Sequence, residues 1–305
     1  MADANSSPQL PEPPHHLSSP YGYIPSRSVA IVFVVLFAIS TLLHSVQSIW
    51  WRKWWLLPTI CLAGAIEVLG WGGRLWSSND VMAPEPFEMQ ICATILGPTP
   101  LVAANFIILG RIIKRLGPRY SRLSPKLYAA IFLTCDIVAL VVQGVGGGMA
   151  AVAVQRDMDP AKGGNIMLGG IVFQMVTITV YVLCAAEFYI RYMSDKPVRS
   201  TSNASSDTEV VRGAFDKRLK LMSLALSLST VCLLIRAIYR TIELAGGWRG
   251  RVIMTEIYFN VLDGAMVIIA IYALNFAHPG LLLRSTSKKS THMELSDVHH
   301  SPALA

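Results

Sequence analysis

Charged residues are scarce in this chain. Only 15% of its 305 residues are Asp, Glu, Lys or Arg, whereas soluble domains usually carry about 25%. Mean hydropathy is +0.47, and the apolar residues come in long runs. This composition excludes an ordinary soluble domain and indicates a polytopic membrane protein. The runs are too long, and alternate too little, for the strands of a membrane β-barrel.

Motifs for catalysis and cofactor binding are also missing. The sequence has no ATP-binding motif, no nucleophile elbow and no zinc or haem signature. His44 is the only histidine well inside a predicted span, which argues against an intramembrane hydrolase. The cysteines all fall in predicted spans, where disulfides are not expected; they are Cys61, Cys92, Cys135, Cys184 and Cys232. We therefore expect no enzyme, no cofactor and no metal site.

Seven apolar runs have about the 20 residues that a helix needs to cross a bilayer. The sequence predicts an all-α fold of seven transmembrane helices, the third interrupted by Pro98 and Pro100. We expect a disordered extracellular tail over 1–25, a helical domain over 26–280 and a disordered cytoplasmic tail over 281–305. No cleavable signal peptide is visible, so the first helix is expected to remain as an anchor. The predicted spans are 28–50, 54–76, 91–113, 127–152, 166–190, 219–241 and 252–277.

Basic residues are concentrated in alternate loops, so the net charge of +7 does not indicate nucleic-acid binding. Lys and Arg cluster after the first, third, fifth and seventh runs, whereas the 77–89 loop contains neither. The positive-inside rule then places the N-terminus outside and the C-terminus in the cytoplasm. The glycosylation sequon at Asn5 is predicted to lie outside and the one at Asn203 inside.

Charged side chains within the spans recur seven residues apart. Seven residues are close to two helical turns, so each set shares one helix face. A charge at the bilayer centre costs about 2.5–3.5 kcal/mol, and eight facing lipid would cost on the order of 20 kcal/mol. We therefore predict that these residues face one another or a polar cavity that accepts an amphiphile head group. The eight charged residues are Glu67, Arg74, Asp136, Arg236, Arg240, Glu243, Glu256 and Asp263, and the uncharged Gln143 follows Asp136 at the same seven-residue spacing.

The rise per residue predicts two levels for these side chains. Glu67, Asp136 and Asp263 are expected near the midplane. The residues expected toward the outer leaflet are Arg74, Arg236, Arg240, Glu243 and Glu256. Asp263 has no base at its own predicted depth, so we expect it to be unpaired and able to bind a cation when ionised. The structural alternative is a set of interhelical salt bridges, such as Arg236 with Glu256, that only fixes the packing of the helices.

Glycines are the other feature of the spans. Gly144 and Gly148 form a small-xxx-small pair, which predicts close approach of a neighbouring helix. Similar packing is expected from glycines at the start of the fifth span, namely Gly163, Gly164, Gly169 and Gly170.

The polar motifs together resemble a fungal membrane family, the lipid-translocating exporters known for aminocholesterol resistance and release of sphingoid long-chain bases. The resemblance covers about residues 21–280 and implies seven helices and a site that includes Gln174. Its first motif is Glu67-x-x-Gly70-Trp71-x-x-Arg74. The later matches are Asp136 with Gln143-Gly144-x-Gly146-Gly147, Gly170 with Gln174, Arg236-x-x-Tyr239-Arg240-x-x-Glu243, Glu256 with Tyr258 and Asp263, and His278-Pro279.

The resemblance implies an ATP-independent exporter of amphiphilic lipids that confers resistance and resides in the plasma membrane. Its partners would be the lipid substrate and the bilayer; the sequence does not indicate an oligomeric state. The alternative is a seven-helix receptor or sensor of membrane stress, although Gly110-Arg111-Ile112 stands where a receptor Asp-Arg-Tyr would be. A membrane scaffold with a purely structural polar cluster is the third possibility.

Overall fold

The computed structural model describes residues 21–156, 158–198, 213–247 and 250–283, without the side chains of residues 154 and 155. All regular structure in these segments is helical, and seven helices are long and apolar enough to cross a membrane. The predicted all-α, seven-span fold is therefore confirmed. The sequons at Asn5 and Asn203 lie outside the described residues, as do residues 1–20 and 284–305, and the orientation of the termini stays a prediction.

The seven spans run close to their predicted bounds. They are α1 Arg27–Trp50, α2 Trp54–Ser77, α3 Pro84–Leu116, α4 Pro125–Gln155, α5 Ala161–Met193, α6 Lys217–Ala245 and α7 Glu256–Leu282. The largest difference is at α3, which includes much of the predicted 77–89 loop. Pro84 occupies the first turn, where its missing N–H costs nothing, and Glu85 follows it there, where a negative charge is favourable.

Helix α3 lies at the centre of the bundle. Of its most apolar stretch 72% is buried, compared with 22% for α1. The helix breaks at Gly97 into Pro84–Leu96 and Pro98–Leu116. Pro98 has no N–H to continue the helical hydrogen bonds, which explains the break. The prolines therefore interrupt the third span as predicted, and the break faces protein rather than lipid.

Helix α6 shows how the bundle separates lipid from polar groups. Its exposed face is an apolar stripe with helical spacing, made of Leu224, Leu228, Val231, Ile235, Ile238 and Ile242. Arg236, Arg240 and Glu243 lie on the other face and are at most 6% exposed. The helix is therefore apolar toward lipid and charged toward the interior, which directs the site inward.

The close approach of α4 and α5 depends on only some of the glycines that were predicted, and also on Gly146. A Cβ atom at Gly144, Gly148 or Gly169 would meet nothing within 4 Å. A Cβ at Gly146 would lie 2.3 Å from the backbone nitrogen of Met167, and one at Gly163 2.4 Å from that of Ala150. The prediction for Gly144, Gly148 and Gly169 is therefore wrong, because the contact face of α4 passes through Gly146. Gly163 and Gly170 do pack closely, as predicted.

The segment before α1 packs against the bundle. Tyr21 is 4% exposed, and its hydroxyl lies 2.9 Å from Ser77 Oγ at the end of α2. Burial raises the pKa of Tyr21 to about 12. Residues 21–25, which were assigned to the tail, thus differ from the prediction, because aromatic rings find an apolar surface at this end of the bundle.

Candidate functional site

An ion-pair cluster occupies the middle of the bundle between α3, α6 and α7. The buried carboxylate of Asp263 accepts hydrogen bonds from Arg240 Nε at 2.9 Å and Nη2 at 3.3 Å. Arg236 Nε lies 2.9 Å from the same Oδ1 atom. Arg240 also donates to Glu243 Oε2 and to Thr94 Oγ1, each at 2.7 Å, and Arg236 donates to the Thr94 carbonyl. These five residues form the central ion-pair cluster.

The central ion-pair cluster corrects the expectation that Asp263 is unpaired. The two predicted depth levels are also wrong, because Arg236 and Arg240 lie at the level of Asp263. The predicted depth was counted from residue 252, whereas α7 begins at Glu256, so Asp263 lies nearer to the start of its helix than predicted. Helix α7 also contains a π-helical segment, Phe259–Ala265. A π turn takes more residues than an α turn, so Glu256 and Asp263 do not share a face as seven-residue spacing predicts. Such segments are frequent at functional sites.

Arg74 belongs to a second group of contacts near the start of α7. Its Nη2 donates to Tyr23 Oη at 2.9 Å and to Glu256 Oε1 at 3.2 Å, and Nη1 donates to Gln90 Oε1 at 3.2 Å. Glu256 also accepts from the backbone N–H and hydroxyl of Ser26, each at 2.8 Å. The structure therefore pairs Glu256 with Arg74, and the suggested Arg236–Glu256 pair is wrong.

Two predicted amides link three helices on the other side of α3. Gln143 Nε2 donates to Gln174 Oε1 at 3.1 Å, and Gln174 Nε2 donates to Thr99 Oγ1 at 3.0 Å. Asp136 lies two turns from Gln143 on α4 and is 1% exposed. Its Oδ2 has no hydrogen-bond partner among the described residues. The structure thus brings the two glutamines together and leaves Asp136 apart from the arginines.

Glu67 is a buried carboxyl group without a hydrogen bond. It is 0% exposed, and neither carboxyl oxygen has a partner among the described residues. Its charged neighbours are Asp263, Arg236 and Arg240, and the Trp71 indole faces it without hydrogen-bonding geometry. The carboxyl lies against the α3 break, where a Cβ on Gly97 would be 2.6 Å from Oε1.

Two cavities meet at the central ion-pair cluster. The middle cavity, about 20 Å³, lies between α3, α4, α5 and α6, and its wall includes both glutamines and both cluster arginines. The second cavity, about 20 Å³, lies under the N-terminal segment and is lined by Tyr21, Tyr23 and Glu243 among others. Ile95 and Arg240 line both cavities. Arg240 is therefore the charged side chain that the two cavity walls share.

Several contact residues were not found from the sequence. Thr94 and Gln90 bind the three arginines from one face of α3, at the i, i+4 spacing of one helical turn. Tyr23 and Ser26 complete the Arg74 contacts from the segment before α1. The available signal for Gln90 and Thr94 was their spacing, as polar residues four apart in an interrupted apolar span. No signal in the sequence marked Tyr23 and Ser26.

Comparisons with known proteins show which proteins the chain is similar to. The profile of a family described as RTA1 like protein matches residues 60–286. The chain is 30% identical over 301 aligned residues to a sphingoid long-chain base transporter, RSB1, of Saccharomyces cerevisiae, covering 92% of this chain and 78% of the relative. It is 26% identical to the lipid-translocating exporter-like protein RTA1 of Leptosphaeria maculans, covering 87% and 51%. Protein RTA1 of Saccharomyces cerevisiae is 25% identical, covering 85% and 84%. No solved structure matches the chain significantly.

Proposed function

Because the chain belongs to the RTA1-like protein family, we propose that it translocates amphiphilic lipids across a membrane without ATP. The proposed substrates are cationic amphiphiles of the sphingoid long-chain base class, and their export would protect cells from toxic amphiphiles. The support comes from relatives named as a sphingoid long-chain base transporter and as a lipid-translocating exporter-like protein. We assign no catalytic step to the protein and place it in the plasma membrane.

The central ion-pair cluster between the two cavities is the observation that carries the proposal. A static scaffold would gain little from it, since well-packed apolar residues often stabilise a core as well as a buried ion pair does. In the proposed path the two cavities, each of about 20 Å³ in this structure, widen to admit the polar head group, while the hydrocarbon chain stays in lipid. An ammonium group can compete with the guanidinium groups for Asp263 and Glu243, because its positive charge is also attracted to the carboxylates.

The amide pair has a matching role in this path. Gln143 is 2% exposed and Gln174 is partly exposed, and both line the middle cavity. Amide groups donate and accept hydrogen bonds, so they can replace water around hydroxyl groups of a passing head group. We propose that the glutamines bind hydroxyls while the carboxylates of the central ion-pair cluster bind the amine.

Transfer of a fluorescent sphingoid base between the leaflets of protein-containing liposomes tests the function. We expect transfer without ATP at a rate clearly above that of protein-free liposomes. Gln174→Leu should slow transfer, because it keeps the approximate size but removes both hydrogen bonds. Phe173→Leu is the matched control, since Phe173 lies next to Gln174 on α5 and is 42% exposed.

Two results would reject this function. Transfer no faster than in protein-free liposomes rules out a translocator of this substrate class. Saturable binding of the base without transfer would instead support the sensor alternative, which the names of the relatives do not favour.

A further inference from the structure

The charges of the central ion-pair cluster cancel before Glu67 is counted. Arg236 and Arg240 are balanced by Asp263 and Glu243, with contacts of 2.7 to 2.9 Å. Ionised Glu67 would add an uncompensated negative charge at a position that is 0% exposed and accepts no hydrogen bond from the described residues. Burying such a charge is strongly unfavourable, and a carboxyl group there binds a proton instead. Glu67 therefore carries its proton in this state.

Building on the proposed function, we infer that the protein exchanges one proton of Glu67 for each cationic amphiphile that it binds. The entering ammonium group takes the place of a guanidinium group at Asp263. The displaced guanidinium then pairs with Glu67, whose O–H bond breaks and whose proton passes to water. One positive charge enters and one leaves, so the net charge of the buried region stays at zero throughout.

Arg236 is the guanidinium that the geometry releases most easily. Its Nε lies 2.9 Å from Asp263 Oδ1 but has no hydrogen-bond geometry with any described residue. Arg240, by contrast, makes four hydrogen bonds to Asp263, Glu243 and Thr94. Arg236 also lines the middle cavity, where an incoming head group would reach it.

Every element around Glu67 is compatible with this exchange. Helix α6 presents Arg236 and Arg240, α7 presents Asp263, and α2 itself presents the Trp71 indole. Helix α3 presents the Gly97 backbone, and the missing Cβ leaves room for the carboxyl group. No described cation is paired with Glu67 in this state, so a displaced arginine would find the carboxylate unoccupied.

Proton release on binding of N,N,N-trimethylsphinganine tests the inference, because this probe has a fixed positive charge. The detergent-purified protein is titrated in weakly buffered solution with a pH-indicator dye, and Kd is measured between about pH 5.5 and 7.5. We expect about one proton to be released for each probe molecule bound. The Kd should then fall about tenfold for each unit by which the pH is raised. Glu67→Gln should bind the probe without proton release and with a Kd independent of pH.

The matched control is Glu85→Gln, the same change at an exposed position near the start of α3; it should release the proton as the parent does. Binding of the probe by the parent with no proton release and no pH dependence would overturn the inference, and so would release that persists in Glu67→Gln. Transfer in liposomes without proton release would reject the exchange but leave the proposed function intact. Failure of the proposed function shows itself separately, as absence of transfer.

Discussion

Asp263→Asn is expected to destabilise the protein strongly. The carboxylate makes three contacts of 2.9 to 3.3 Å with two arginines, and its residue is 0% exposed. The amide keeps the size of the side chain but removes its charge. Arg236 then loses its ion pair, and Arg240 keeps an ion pair with Glu243 alone. Removing one partner of a buried ion pair costs about 3–5 kcal/mol, because the remaining charge stays buried.

Glu67→Gln is the matched comparison for this substitution. Both positions are 0% exposed, and both changes replace a carboxyl group by an amide. Glu67 has no hydrogen bond to lose and is neutral in this state, so its substitution should cost less than about 1 kcal/mol. The difference in stability loss between the two variants therefore measures the contribution of the ion pairs, and not the effect of replacing a buried carboxyl group.

Thermal unfolding in detergent is the assay. For a chain of this size the cost at Asp263 corresponds to a midpoint lower by roughly 10 °C, and Glu67→Gln should shift it by about 3 °C at most. In Asp263→Asn/Arg236→Gln one buried cation is also removed, so the double variant should be more stable than Asp263→Asn alone. Equal shifts for the two single variants, or no recovery in the double variant, would refute the reasoning.

Three further predictions concern packing, pH and topology. Gly146→Ala should destabilise the protein by about 1–3 kcal/mol because its Cβ would meet α5, whereas Gly148→Ala, in open space, should not lower the unfolding midpoint. Tyr21 has a pKa of about 12 when folded and 10.0 as its ordinary value. Folding therefore favours the protonated phenol of Tyr21. The free energy of unfolding that depends on this proton is fully present below pH 10.0 and should be lost as the pH rises toward about 12. Tyr21→Phe has no phenol to ionise, so its stability should fall less over this pH range. Glycan on Asn5 and none on Asn203, detected as a glycosidase-sensitive shift in mass, would agree with an outer N-terminus, and the reverse pattern would contradict it.

The number of spans and the burial of charge could be predicted from the sequence. Apolar runs near the length of a bilayer crossing fix the first. The cost of exposing Arg236, Arg240 or Asp263 to lipid fixes the second, and all three are at most 6% exposed. The number of spans and the burial of charge follow from the order of apolar and charged residues and from the lipid around the protein. Neither requires knowledge of how the helices are rotated against one another.

The partners of each charge could not be predicted in the same way. Spacing arguments assume a regular helix, but Phe259–Ala265 is π-helical, and this changes the direction in which Asp263 points relative to Glu256. The Arg74 contacts also depend on Tyr23, which lies before the first span and was assigned to the tail. Depth calculated from rise per residue alone placed Arg236 away from Asp263, whereas the two lie 2.9 Å apart.

Three carboxyl groups that look equivalent in the sequence have different surroundings in the structure. Asp263 is held by two arginines, and Asp136 is buried on α4 with no described contact to either. Glu67 alone is both without a hydrogen bond and next to the arginines. A proton on Asp263 would have to displace bound guanidinium groups, and one on Asp136 would change no ion pair. Only at Glu67 does losing a proton create an anion within reach of a displaced arginine, and this makes the second helix rather than the seventh the place to look for proton coupling.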